Sequence, residues 1–182
     1  MAERLLLVGM MGAGKTTVAR LAARRLRWAY VDTDGEITRS TGATVPELFA
    51  RHGEGRFREE EARALDAVLG RPGPLVVSVG GGAVLDPANR RRLREAGTVV
   101  WLRARPATLL ARVHDGAGRP LLAGDSPEDR ALTLERLEAE RRPLYAEVAH
   151  EVVDVDHLDA ERVTDRLLVC TGLDAPRPGA RT

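Results

Sequence analysis

The sequence predicts an α/β fold in which one parallel β-sheet is covered on both faces by α-helices. Two observations lead to this prediction. Five short apolar segments with the length of buried strands alternate along the chain with stretches whose apolar residues recur at helical spacing. A glycine-rich loop also joins the first of these strands to the first helix. Because alternating strands and helices form right-handed βαβ units, the strands are expected to be parallel.

The five strands are identified by their apolar content and by the residues that end them. The first strand runs into the glycine-rich loop, the second ends in an Asp-Thr-Asp sequence, and the third is followed by three glycines. Ligands of parallel sheets bind where the strands end, so these three endings are expected on one functional rim. The predicted strands are residues 4–8, 28–31, 75–79, 98–102 and 151–155.

The helices are predicted from apolar periodicity and from proline or glycine at their ends. Proline is favoured in the first turn of a helix and glycine just beyond the last turn. The predicted helices are about 15–26, 35–70 with breaks near Gly42 and Gly53, 87–97, one beginning near Pro106, a long one beginning at Pro127, and a last one ending near Cys170.

Length and composition indicate one domain, which we predict at residues 1–171 of the 182-residue chain. Residues of about 113–125 are rich in glycine and aspartate and are predicted to form a loop, while 172–182 are expected to be a disordered tail. Cys170, the single cysteine, is expected to be a packed thiol rather than a reactive one.

Charge and hydrophobicity argue against two classes of partner. The net charge of +1 speaks against binding to nucleic acid or to an anionic membrane. The sequence has no apolar run long enough to cross a bilayer, and its start lacks the pattern of a signal peptide. We therefore expect a cytoplasmic protein without membrane or nucleic-acid partners, and its charge balance is compatible with a monomer.

The loop Gly9–Thr16 matches the phosphate-binding pattern G-x-x-x-x-G-K-[ST] between a strand and a helix. Its glycines let backbone N–H groups surround phosphate oxygens, and the helix that follows directs the positive end of its dipole at them. Lys15 is the only lysine among the 28 basic Lys and Arg residues. The pattern predicts that Lys15 contacts the β- and γ-phosphates of ATP and that Thr16 binds Mg²⁺.

Asp32 and Asp34, at the end of the second strand, have two possible roles. One carboxylate on this rim would support the Mg²⁺ shell and the other would accept a proton from an attacking hydroxyl. Alternatively, Asp34 would be the N-cap of the following helix.

Three other features are candidates for ligand contacts. Gly80, Gly81 and Gly82 follow an apolar strand and indicate a close approach of backbone to a ligand. Arg119 lies in the glycine-rich loop, as an arginine of a mobile lid would, although an ordinary surface arginine is an equal alternative. The charged run around Arg58 has the composition of a solvated helix face.

Together these residues resemble shikimate kinase over roughly residues 5–155. The matching motifs occur in order: Gly9–Thr17, Asp32-Thr33-Asp34, Gly55-Arg56-Phe57-Arg58 with Glu54 and Glu61, Gly80–Gly82, Gly118-Arg119-Pro120-Leu121-Leu122, and Arg141 before Pro143-Leu144-Tyr145. The resemblance implies a P-loop fold like that of nucleoside monophosphate kinases, with strand order 2-3-1-4-5 and a lid. It also implies transfer of phosphate from ATP to the 3-hydroxyl of shikimate.

The resemblance further implies roles for individual residues. Asp34 would bind the reacting hydroxyl and act as the base, and Asp32 would support Mg²⁺ with Thr16. Arg58 and Arg141 would hold the shikimate carboxylate, helped by the backbone of Gly80, Gly81 and Gly82. The residues implied in ATP binding are Gly12, Ala13, Gly14, Lys15, Thr16, Thr17, Arg112 and Arg119. Ala160 departs from the family pattern, which often has proline on the adenine side.

Two alternatives stay open at this point. One is another small-molecule P-loop kinase, such as a gluconate-type or nucleoside monophosphate kinase. The other is a nucleotide-dependent switch with little catalysis. Aromatic residues make up only 3% of the chain, which disfavours a nucleotide as acceptor, and a switch would need no clamp for an acceptor carboxylate.

Overall fold

A computed structural model of the chain describes residues 3–113, 120–122 and 126–173. It contains a five-stranded sheet in which every neighbouring pair is parallel. The strand order is β2-β3-β1-β4-β5. The predicted parallel sheet and its order 2-3-1-4-5 are therefore confirmed. The strands are β1 Arg4–Val8, β2 Ala29–Asp32, β3 Leu75–Ser78, β4 Thr98–Arg103 and β5 Glu151–Asp154.

Helices follow the strands as predicted, with two short 3₁₀ turns at Ala83–Leu85 and Pro120–Leu122. The helices are α1 Lys15–Leu26, α2 Thr33–Thr41, α3 Val45–Leu69, α4 Pro87–Ala96, α5 Pro106–Val113, α6 Pro127–Val148 and α7 Ala160–Cys170. None of them, in the described ranges, is both long and apolar enough to cross a membrane.

Both predicted breaks of the helical stretch 35–70 are found, one at the end of α2 and one inside α3. Gly42 ends α2 with a φ of 70°, in the left-handed region that favours glycine. Gly53 kinks α3 with φ 74° and ψ 178°. Helix α3 begins with a capping box at Thr44. The Thr44 hydroxyl accepts a hydrogen bond from the Glu47 amide, and the Glu47 side chain accepts one from the Thr44 amide.

The structure decides one open alternative and corrects one prediction. Asp34 is not the N-cap of α2; Asp32 is, and its carboxylate accepts a hydrogen bond from the amide of Asp34 at 3.0 Å. The helix begins two residues earlier than its pattern indicated. Cys170 is exposed rather than packed, because it follows the buried stripe of α7 that ends at Leu168. Partial burial of the thiol still raises its pKa, which is typical of an unreactive cysteine.

The main core surrounds the central strand β1, where Leu5, Leu6 and Leu7 have no exposed surface. Burial of each such side chain stabilises the fold by roughly 1.5–3 kcal/mol. A second, smaller cluster lies between α2 and α3 and contains Ile37, Leu48, Phe57 and Ala64. The main core therefore holds the strand from which the glycine-rich loop extends, and the smaller cluster holds α2 and α3 against each other.

Candidate active site

The loop between β1 and α1 has the backbone geometry of a phosphate-binding loop. Gly12 and Gly14 have φ values of 82° and 91°, which residues with a Cβ rarely adopt. A Cβ on Gly12 would also lie 2.9 Å from Cγ2 of Val113. The Lys15 ammonium donates hydrogen bonds to the carbonyls of Gly9 at 2.8 Å and Met10 at 3.0 Å. This places the ammonium inside the curve of the loop.

A small hydrogen-bond network joins this loop to the end of β2. Thr16 Oγ1 donates to Oδ2 of Asp32 at 3.0 Å and lies 3.4 Å from Oγ of Ser78. The Tyr30 hydroxyl donates to the same Asp32 oxygen at 3.0 Å. Partial burial, followed by the nearby Asp32 charge, raises the pKa of Tyr30 to about 12, so the hydroxyl keeps its proton. The network presents hydroxyl and carboxylate oxygens, which are hard ligands, beside the loop.

Arg58 lines the cavity, as the family resemblance implies, although the composition of its charged run is that of a solvated helix face. Acidic residues of its own helix hold it. Its guanidinium contacts Oε1 of Glu54 at 2.9 Å and Oε2 of Glu61 at 2.8 Å. The guanidinium also lies so close to Gly82 that a Cβ at that position would overlap it. The glycine at 82 thus makes room for the arginine.

Glu61 lies beneath Arg58 with 3% of its side chain exposed. Burial raises the pKa of its carboxyl and the Asp34 charge adds to that rise, whereas Arg58 and Arg141 oppose it. A Cβ on Gly80 would lie 2.8 Å from Oε1 of Glu61 and 2.9 Å from Oδ1 of Asp34. Because Gly80 has no side chain, the carboxylates of Glu61 and Asp34 both lie next to its backbone.

Arg141 reaches the same place from α6 and is only 3% exposed. Within the described part of the chain, its buried Nε has no hydrogen-bond partner. A buried guanidinium N–H of this kind is costly unless a ligand accepts a hydrogen bond from it. The position of Arg141 in the cavity wall, beside Arg58, therefore fits a small carboxylate ligand.

These groups surround one cavity of about 510 Å³. The predicted residues that line it are Gly12, Gly14, Lys15, Thr16, Thr17, Asp32, Asp34, Arg58, Gly80, Gly81, Gly82, Arg112 and Arg141. Ala13 is not among the lining residues because its side chain is buried in the core. Arg112 donates hydrogen bonds to the carbonyls of Val155 at 3.1 Å and Leu158 at 3.4 Å. Arg119 and most of the predicted lid, 113–125, lie outside the described residues.

Sequence reasoning assigned no role to three polar side chains in or beside the cavity: Thr33, Ser78 and Tyr145. Thr33 accepts a hydrogen bond from the amide of Gly80 at 2.8 Å, and Tyr145 donates one to the carbonyl of Gly81 at 2.6 Å. Ser78 could have been found from the sequence, because it is the one polar residue of the otherwise apolar strand β3 and lies at the end of that strand. The contacts of Thr33 and Tyr145 join distant parts of the chain and leave no local pattern.

Comparison with known proteins gives one consistent result. The family model for shikimate kinase matches residues 11–171. A shikimate kinase of Ralstonia nicotianae is 46% identical over 162 residues, which cover 89% of this chain and 83% of that protein. One from Dechloromonas aromatica is 45% identical over 166 residues, covering 91% and 88%. The solved structure of shikimate kinase from Acinetobacter baumannii in complex with shikimate has a TM-score of 0.88 at 36% identity and covers 97% of both chains.

Proposed function

This chain belongs to the shikimate kinase family, and from that premise we propose that it transfers the γ-phosphate of ATP to the 3-hydroxyl of shikimate, giving shikimate 3-phosphate and ADP. The observation that carries the proposal is the convergence of Asp34, Arg58 and Arg141 on the cavity that contains the phosphate loop. A carboxylate clamp and a carboxylate base next to a P-loop suit an acid with a reactive hydroxyl.

On the nucleotide side, we assign the phosphates of ATP to the loop that begins α1. The amides of Gly12–Thr17 and the N-terminus of α1 are arranged for anions, and Lys15 adds a positive charge. The Lys15 contacts to Gly9 and Met10 would be exchanged for phosphate oxygens when ATP binds. Arg112 is proposed to lie against adenine, and Arg119 to reach the phosphates as the family resemblance implies.

On the acceptor side, we assign the substrate carboxylate to Arg58 and Arg141. Planar guanidinium groups hold carboxylates through paired hydrogen bonds, and two such anchors fix the orientation of the ring. The unpaired Nε of Arg141, within the described residues, supports this assignment. The backbone of Gly80–Gly82 would complete the acceptor site because no side chain separates it from the ligand.

Asp34 is proposed as the base that accepts the proton of the 3-hydroxyl. The hydroxyl oxygen would then form a bond to the γ-phosphorus while the bond between that phosphorus and the β,γ-bridging oxygen breaks. The electron pair of the broken bond would leave with ADP, and the proton would stay on Asp34. Arg58 and Arg141 contribute by holding the ring so that one hydroxyl points at the phosphate.

The oxygen donors beside the loop fit a magnesium ion bound to ATP. Among the described residues there is no cluster of three or more His, Cys, Asp or Glu side chains, whereas Mg²⁺ bound to phosphates needs only one or two protein ligands. Thr16 and Asp32, already hydrogen-bonded to each other, would supply them. When bound, the ion would neutralise charge on the transferring phosphate.

We also propose that the enzyme is a monomer in the cytoplasm. Light scattering of the purified protein would test the oligomeric state.

The test is ADP release by the purified protein with ATP and Mg²⁺ and with shikimate, gluconate or nucleoside monophosphates as separate acceptors. We expect release that depends on shikimate alone. Turnover with gluconate or a nucleotide, and none with shikimate, would overturn the acceptor assignment while leaving the P-loop assignment in place. Nucleotide hydrolysis that no acceptor stimulates would instead favour a switch.

A further inference from the structure

The phenol of Tyr145 lies where the acceptor side of the cavity meets the phosphate loop. The side chain is 1% exposed, and its ring is stacked on Trp101 with centroids 5.8 Å apart. The hydroxyl donates to the carbonyl of Gly81 at 2.6 Å and lies 3.7 Å from the sulfur of Met10 in the phosphate loop. This hydroxyl is therefore in contact with both substrate-binding segments of the cavity.

Gly81 fits tightly between the phosphate loop and the Tyr145 hydroxyl. A Cβ on this residue would lie 3.2 Å from the carbonyl oxygen of Gly9 and 3.5 Å from the Tyr145 hydroxyl. The neighbouring amide of Gly80 donates to Oγ1 of Thr33 at 2.8 Å. The glycine segment is thus held on one side by α2 and on the other by α6, and it has no side chains of its own with which to pack.

Tyr145 also shares a helix face with Arg141, which lies four residues earlier and therefore one turn away on α6. Burial raises the pKa of the Tyr145 hydroxyl above its ordinary value, and the nearby Arg141 guanidinium only partly opposes that rise. The hydroxyl therefore remains a protonated donor for Gly81. One face of α6 carries both a cation for the acceptor carboxylate and a hydrogen bond to the backbone beside it.

We propose that Tyr145 is a positioning residue for the acceptor. Its hydroxyl fixes Gly81 so that the Gly80–Gly82 backbone keeps one geometry relative to Arg141 and the phosphate loop. The inference rests on the proposed function, because it assumes that this backbone and Arg141 bind shikimate.

The test compares Tyr145→Phe with a matched control, Thr164→Val. Phenylalanine keeps the buried ring and removes only the hydroxyl. Thr164 is also fully buried and donates to the carbonyl of Ala160 at 2.7 Å, but it lies in α7 outside the cavity lining. Titration calorimetry would give the dissociation constants of shikimate and of a non-hydrolysable ATP analogue with Mg²⁺ for both variants and the parent protein. Thermal melting would establish that each variant is folded at the assay temperature.

We expect Tyr145→Phe to raise the dissociation constant of shikimate about three- to tenfold, the ratio associated with one neutral hydrogen bond. The constant for the ATP analogue should stay within about twofold, and Thr164→Val should leave both ligands within that range. Equal weakening of both ligands, or unchanged shikimate binding in Tyr145→Phe, would overturn the positioning role. If the parent protein does not bind shikimate, the proposed function itself is overturned, and the positioning role is overturned with it.

Discussion

At the residue scale, the environment of Arg58 distinguishes it from the other arginines of its helix. Glu54 and Glu61 hold its guanidinium from one side, and Gly82 leaves space for it on the other. Arg56, two residues earlier, pairs with Glu59 and Glu60 on a more exposed face. Two arginines of the same charged run therefore have different surroundings, and only one of them lines the cavity.

This contrast predicts the result of Arg58→Lys. Lysine keeps the charge but lacks the planar fork, so it would not hold a carboxylate and both glutamates together. We expect the KM for shikimate to rise about tenfold or more, since a charge-assisted hydrogen bond contributes roughly 1.5–3 kcal/mol. Steady-state kinetics with varied shikimate would measure it, with Arg56→Lys as the control. A KM that rises equally in both variants would contradict the assignment.

A second prediction at this scale concerns Asp34 as the base. Asp34→Asn keeps nearly the same shape and should fold with an unchanged circular dichroism spectrum. Because asparagine does not accept the proton, kcat should fall by about 10²–10⁴. Asp66→Asn, at a carboxylate that is 70% exposed on α3, is the matched control and should retain parental kcat. A near-parental rate in Asp34→Asn would remove Asp34 from the role of base.

At the element scale, α2 is joined to the segment after α3 through one buried carboxylate. Glu36 is 7% exposed and pairs with Arg39 on its own helix and with Nη2 of Arg71 at 2.6 Å. The hydrogen bond from Arg39 lowers the pKa of Glu36 below its usual 4.5; burial opposes this effect, and Arg71 reinforces it. Glu36 therefore binds its proton more weakly in the folded protein than in the unfolded chain.

The lowered pKa predicts how stability depends on pH. The contribution of Glu36 is fully present above its unfolded pKa and is lost as pH falls through the lower folded pKa. Glu36→Gln should therefore have a lower free energy of unfolding than the parent near pH 7, and the difference should shrink below about pH 4.5. Urea unfolding at several pH values would measure it, with Glu59→Gln as an exposed control. If the difference in the free energy of unfolding between Glu36→Gln and the parent did not change with pH, the ion pairs of Glu36 would not be its cause.

Elements were predictable where the signal is local. Short apolar segments predicted the strands. Glycines predicted the end of α2 and the kink in α3, because the backbone conformation there depends on the residue itself. The sequence left Asp34 as an alternative N-cap of α2, whereas the structure has Asp32 in that position. Both carboxylates precede a helical pattern, and only the hydrogen bond from the Asp34 amide to Asp32 distinguishes them. Cys170 was misjudged because periodicity alone does not show where a buried stripe ends.

At the scale of the whole molecule, the binding site unites segments that lie far apart in sequence. The phosphate loop is contiguous, so its pattern alone predicted its function. The contact between Tyr145 and Gly81 spans 64 residues, and the placement of Arg141 beside Arg58 depends on the packing of α6 against the rest of the fold. No local pattern contains such contacts, and the resemblance to a family was needed to relate Arg141 to the acceptor.

Ligand binding should stabilise the whole fold, because the cavity is formed only in the folded state. At a hundred times its dissociation constant, a ligand adds about 2.7 kcal/mol to the free energy of unfolding. For a domain of this size that corresponds to a rise in Tm of roughly 5–10 °C. We expect shikimate to produce such a shift in differential scanning fluorimetry and gluconate to produce none. A shift of equal size with gluconate would contradict the proposed acceptor specificity.

The strand order has a consequence for how acceptor preference can change during evolution. Asp34, Arg58 and Gly80–Gly82 lie on the β2-β3 side of the central strand, whereas Arg112 contacts the loop after β5 on the other side. Residues 33–82 therefore contain most of the acceptor side of the cavity, although Ser78 and Gly81 within this range also contact the phosphate loop. Helix α6 is the exception, because it supplies Arg141 and Tyr145 across that division. Recombination that exchanged only residues 33–82 would replace Asp34 and Arg58 and leave Arg141 and Tyr145 unchanged. With the roles proposed for these residues, acceptor preference therefore depends on two segments that lie far apart in the gene.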